Sequence, residues 1–141
     1  MAAFMAMLPT TIDGISTRHV VEVRHESFVC PEFVELARKH KVGIVIADHP
    51  QHPLIADLTA DFVYARLMQG QEEIPTGYDD AGLSHWAGIA RDWAKGGRPQ
   101  GLTYVTDTPA DDAPRDVFAY FISAAKIRAP QAAMALAERC T

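Results

Sequence analysis

Apolar positions along this chain follow two rhythms, a short extended run and then a helical spacing, and the pair recurs four times. A short helix around Ala2 to Leu8 comes first, followed by an extended run from His19 to Arg24 (HVVEVR). The helix from Pro31 to His40 places Phe33, Leu36, Ala37 and His40 at i, i+3, i+4 and i+7, with Pro31 in the first turn, where a missing N–H costs nothing. Val42 to Ala47 (VGIVIA) is continuously apolar, as in a strand buried on both faces, and ends at Asp48, where His49-Pro50 forces a turn. A short helical turn is predicted over Pro53 to Leu58, and the third extended run is Asp61 to Leu67 (DFVYARL). From Asp79 to about Lys95 the spacing predicts a helix capped by Asp79 or Asp80. Leu83, Trp86, Ala90 and Trp93 share one side of it, and Gly96-Gly97 stops it. Residues 98–115 hold Pro99, Pro109, Asp111, Asp112 and Pro114 and predict a loop insertion. The fourth run, Asp116 to Ile122, leads to a helix from Pro130 to about Arg139 that groups Ala133, Leu136, Ala137 and Cys140 on one face.

Strand and helix in strict alternation imply parallel strands joined by right-handed crossovers, hence a doubly wound sheet or part of a (β/α) barrel. Charge chooses between them. In the first strand Val21 and Val23 share one side while Glu22 and Arg24 share the other; in the third, Val63, Ala65 and Leu67 oppose Phe62, Tyr64 and Arg66. A doubly wound sheet would bury those charges under helices at a cost of several kcal/mol unless each were paired. A barrel lumen opens to solvent at the carboxyl ends of the strands, where polar side chains are tolerated and where barrel enzymes work. The expectation is therefore an α/β protein of four parallel (β/α) units forming part of a TIM-like barrel.

Length and composition fit this picture. With 141 residues, 48% hydrophobic and 22% charged, the chain is expected to be one globular domain spanning 1–141. A net charge of −5 without any basic run argues against nucleic acid as partner. The apolar runs are far shorter than the roughly 18 residues of a membrane helix, and the opening segment lacks the basic start of a secretory signal. Cys30 and Cys140 are too distant in sequence to suggest a metal pair and fit a reducing, cytoplasmic setting.

Glu22, Arg24, Asp48 and Arg66 fall at or near strand ends with alternating sign. Arg24 and Arg66 can bind a phosphate or carboxylate through forked hydrogen bonds, with Tyr64 on the same side as Arg66. Glu22, His25 and Asp48 are the acid/base candidates of such a site, which would make the protein an enzyme acting on a small anionic substrate. His25 with these carboxylates has the residue types of a divalent metal site, though not a recognised zinc spacing, and no metal is expected. Tyr78 either folds over the mouth and meets the ligand or anchors the entry of the following helix. In the competing reading the same charges form an ion-pair network that holds the lumen together, within a non-catalytic binding or assembly module.

The run Val21-Glu22-Val23-Arg24-His25-Glu26-Ser27-Phe28 resembles a strand-end motif of the YecE-like family, also called domain of unknown function 72, whose fold is TIM-barrel-like. Gly43 to Asp48 is similar to that family's next strand and Thr59 to Leu67 to the one after it. Gly77-Tyr78 with Trp86 and Trp93 looks like its loop and helix, and Val117 to Phe121 like its closing strand. The resemblance covers nearly the whole chain and implies the C-terminal half of a barrel, since a full barrel takes about 250 residues and the family's opening units have no counterpart here. It implies no settled activity and leaves the cofactor open. Where the family often carries amide side chains after the closing Tyr-Phe, this chain reads Ser123-Ala124-Ala125-Lys126. A half barrel leaves two strand edges and a lumen face open, and either a second copy or a separate N-terminal half would cover them.

Overall fold

The computed structural model describes residues 1–122 and 124–141, and Ser123 lies outside the described residues. Helix α1 (Ala2–Ala6) precedes a small antiparallel hairpin of β1 (Thr11–Ile12) and β2 (Ile15–Ser16). Then come β3 (Val20–Val21), α2 (Pro31–His40), β4 (Gly43–Ile44), β5 (Ile46–Asp48), β6 (Phe62–Leu67), α3 (Asp80–Ala94), β7 (Asp116–Phe121) and α4 (Ala129–Cys140). The hairpin turns on Asp13 and Gly14, both at positive φ (50° and 78°), the left-handed pair that a tight two-residue turn requires.

Parallel pairing follows chain order. β3 pairs with β4, while β5, β6 and β7 form a three-stranded sheet in that sequence. β4 and β5 are pieces of one extended segment parted only at Val45, whose N–H still donates to the Val21 carbonyl at 2.9 Å. The outer edges of β3 and β7 have no strand partner among the described residues.

Helices cover one face of these strands. Ile46, Val63, Ala65 and Leu67 pack with Leu83, Trp86 and Trp93 of α3 and with Leu136 of α4. Beside them, Val23, Val42 and Ile44 pack with Phe33, Val34 and Ala37 of α2 and Met5 of α1. Helix α3 begins where a cap was expected: the Asp79 carboxylate accepts from the Gly82 N–H at 2.7 Å.

Several sequence expectations need correction. The first strand is two residues long, because the chain beyond Val21 leaves β4 as it turns toward the short helical turn at Glu26–Phe28. No helical turn forms at 53–58, where Ala56 instead donates its N–H to the Thr103 carbonyl at 2.9 Å and ties the segment to residues 98–115. On α4 the buried residues are Ala132, Ala135 and Leu136, and Ala133 and Ala137 face outward. On α2, Val34 is buried in place of Leu36 and His40, which are only half-buried.

Candidate functional site

Strand register decides which side chains meet. On β6, Phe62, Tyr64 and Arg66 alternate with the helix-facing residues, and pairing sets Tyr64 beside Phe118 and Arg66 beside Tyr120 of β7. The face away from the helices therefore carries two aromatic rows and one arginine. The Tyr64 and Tyr120 rings stack with centroids 4.9 Å apart at 25°. Toward the strand starts, Phe62 and Phe118 meet edge to face at 6.2 Å. The Arg18 guanidinium lies 5.1 Å from both of those ring centroids and donates to Asp116 Oδ2 at 2.8 Å.

At the other end of this face Glu22 joins two arginines. Its Oε2 accepts from Arg66 Nη1 and its Oε1 accepts from Arg24 Nε at 2.8 Å. The Glu22 and Arg66 side chains are 17% and 23% exposed, whereas Arg24 is 63% exposed, so the inner pair is anchored and the outer guanidinium reaches solvent. Burial acts to raise the Glu22 pKa, yet the hydrogen bonds and charges of Arg66 and Arg24 overcome it and hold the carboxyl below its ordinary value of 4.5. One carboxylate against two guanidiniums leaves one positive charge in excess.

The other predicted residues, Asp48, Tyr78 and His25, have different partners. Asp48 pairs in register with Leu67, on the helix-covered side, and Ala47 occupies the position beside Arg66. Asp48 accepts from Gln69 Nε2 and makes a longer 3.4 Å contact with the Tyr78 hydroxyl. Tyr78 also accepts from the Gln69 N–H at 2.8 Å and sets its ring edge-on to Phe121 at 5.4 Å, so it anchors the entry to α3. Burial, reinforced by the Asp48 charge, pushes its hydroxyl well above the usual tyrosine range and keeps it protonated. His25 turns into its own loop, where Nδ1 accepts from the Ser27 N–H at 3.2 Å and lies 2.9 Å from Ser27 Oγ. Among the described residues, no three His, Cys, Asp or Glu side chains gather as a metal site.

Tyr120, Phe118 and Arg18 belong to the face and escaped sequence reasoning. The alternation in Asp116-Val117-Phe118-Ala119-Tyr120-Phe121 was the available signal, but it identifies a side only once the register with β6 is known.

A cavity of about 510 Å³ lies at the opposite end of the strands, between residues 98–115 and the body. Three of the charged side chains that line it, Arg38, Arg98 and Asp57, hold that loop. Arg38 donates to the Thr108 carbonyl, Arg98 to the Thr106 and Asp107 carbonyls, and the Asp57 carboxylate accepts from the Val105 and Thr106 N–H groups. It is a seam between two parts of the chain.

The family model described as "Protein of unknown function DUF72" matches residues 1–141. The chain belongs to the DUF72 family. Its fold is similar to a DUF72 family protein of Enterococcus faecalis V583, with TM-score 0.58 and 14% identity over 86% of this chain and 47% of that one. A DUF72 family protein of Thermotoga maritima MSB8 gives TM-score 0.55 and 18% identity over 90% of this chain and 46% of its own. This DUF72 chain thus spans about half the length of the solved relatives it matches. No curated protein matches it. No helix is long and apolar enough to cross a membrane among the described residues.

Proposed function

We propose that this DUF72 chain binds a small anion, a phosphate or a carboxylate, through Arg24 and Arg66 on the open face of its strands, and that it forms half of a TIM-like barrel. The observation that carries this reading is the arrangement around Glu22, where a single carboxylate holds two guanidiniums on one face and leaves one of them largely exposed. Glu22 then positions the arginines. A carboxylate held below its ordinary pKa is a weak proton acceptor at neutral pH, since a general base works best with a pKa near the operating pH. Acid/base catalysis at Glu22, His25 and Asp48 would need the last two to turn toward the arginines from their present partners.

Titration of the folded protein with inorganic phosphate and with acetate, followed by amide chemical shifts, tests this. Shifts are expected around residues 22–24 and 64–66, and Arg24→Ala should weaken phosphate binding about tenfold while leaving the melting temperature within a few degrees, as for an exposed ion pair. A folded protein that ignores both anions at tens of millimolar overturns the proposal.

A second reading, an assembly module closed by another copy or by a separate N-terminal half, is favoured by the edges of β3 and β7, which have no strand partner among the described residues, and by the exposure of Val20 and Tyr120 on them (37% and 44%). Both readings can hold in one molecule, because a closed barrel keeps its strand ends open to ligand.

A further inference from the structure

We propose that the open edges are covered by a second copy of this chain, two copies closing an eight-stranded parallel barrel in which Tyr120 of β7 lies beside Val20 of the other copy's β3. The inference rests on the assembly reading and adds the partner and its register.

Exposure marks the edges. Among the described residues, the large apolar side chains left exposed all fall within residues 1–29 or 120–134. They include Phe4, Met7 and Val20 on the β3 side and Tyr120, Ile127 and Met134 on the β7 side, and the stretch from 30 to 119 leaves none. Uncovered apolar surface is thus confined to the two units that end the row of strands. Those strands all run the same way. A copy turned about a two-fold axis along them offers a β3 edge to β7 and a β7 edge to β3, so both junctions form at once and every strand stays parallel. Counting β3, the β4–β5 segment, β6 and β7, each chain brings four strands, and two chains bring the eight of a TIM-like barrel.

Register decides which residues meet. Val20 pairs with Gly43, Ile46 with Ala65 and Phe62 with Asp116. Counting back three residues from the Ile46–Ala65 pair sets Gly43 level with Phe62, whose ring lies 3.1 Å from where a Gly43 Cβ would stand. Val20, Gly43, Phe62 and Asp116 therefore form one rung. An eight-stranded barrel of this kind closes with a stagger of about eight residues round the circuit, hence about four for each half. Right-handed coiling makes the next strand arrive that much nearer its start. The residue level with Asp116 is then Ser16 of the second copy, and Val20 of that copy comes level with Tyr120. Face parity agrees. An even offset joins Val20, two residues before Glu22, to Tyr120, which lies beside Arg66 on the same open face, whereas an odd one would set core-facing positions against open-face ones.

Thiol cross-linking of the folded chain tests this, with the linked positions identified by peptide mass spectrometry so that Cys30 and Cys140 are told apart from the new thiols. In a mixture of Val20→Cys and Tyr120→Cys, each checked by its melting curve, oxidation is expected to join position 20 of one chain to position 120 of the other, since residues opposite each other on neighbouring strands lie within disulfide reach. Neither variant alone should link through its new thiol, and the native mass should be that of two chains. Val21→Cys with Phe121→Cys repeats the test one step along if Tyr120→Cys does not fold. Links of 20 to 20 or 120 to 120 mean antiparallel edge pairing, a ladder of three or more chains means open growth, and a link between Val20→Cys and Asp116→Cys means closure without the stagger. Each of these overturns the inference while self-association stands. A monomer at every concentration that links in no pairing rules out the second copy, and the inference falls with the self-association it needs.

Discussion

At the scale of single residues the site turns on Glu22, whose charge is supported by arginines from its own segment and from β6. A carboxyl whose folded pKa lies below its unfolded value adds stability that is fully present above the unfolded value, here about 4.5, and is lost as pH falls through the folded value. Glu22→Gln is therefore expected to melt below the unaltered chain at pH 7, with the gap shrinking once the pH drops beneath about 4.5. Thermal melts at pH 7 and pH 3 measure it, and a gap that persists or widens in acid contradicts the ion-pair account. Much of this cluster was legible beforehand, because alternation in Val21-Glu22-Val23 and Val63-Tyr64-Ala65-Arg66-Leu67 separates a charged side from an apolar one. Asp48 was not. It ends a run that is apolar on both faces, so parity along the strand leaves its side undetermined, and only the register with Leu67 shows it turned toward the helices.

At the scale of elements, short signals located the regular pieces and missed the way irregular ones are held. The Asp79 cap and the Pro31 first turn mark the start of α3 and α2 in sequence and in space. The Asp13-Gly14 turn carries an equally strong hairpin signal, but the strands it joins are only two residues long and stand outside the strand-helix repeat. Residues 98–115 form no helix or strand, yet they are pinned. The buried Asp57 carboxylate accepts from the Val105 N–H at 2.6 Å, the Thr106 N–H at 3.0 Å and the Thr106 hydroxyl. Arg115, buried at the far end of the segment, donates to the Ala60 and Ala113 carbonyls. Gly96 lets the Asp112 backbone lie against it at φ 86°, where a side chain would overlap the Asp112 carbonyl. Asp57→Ala leaves two amides without their acceptor and is expected to cost about 2–4 kcal/mol. Hydrogen exchange should then quicken at Val105 and Thr106 ahead of α3. Unchanged exchange at those two amides would show that the arginines alone hold the segment.

For the whole molecule, the decisive fact is that helices cover one face while the opposite face carries Arg18, Phe118, Tyr64, Tyr120 and the Glu22 cluster. Parallel order was readable from the alternation of periods, whereas the open face was not, since covering or exposing a sheet depends on chain that lies far away or belongs to another molecule. The chain spans about half the length of the solved relatives it matches. Parallel edges at β3 and β7, without a strand partner among the described residues, expose backbone donors and acceptors that a second chain can satisfy. Taken alone, the protein is thus expected to self-associate through these edges. Sedimentation velocity over a hundredfold dilution should show a species heavier than the monomer that dissociates as concentration falls. Val20→Lys, which places a charge on the β3 edge, should shift that equilibrium toward monomer without reducing helical circular dichroism. Were the unaltered chain monomeric across the whole range, its edges would be protected from pairing by their shortness, β3 having only two residues, and the assembly reading would fall.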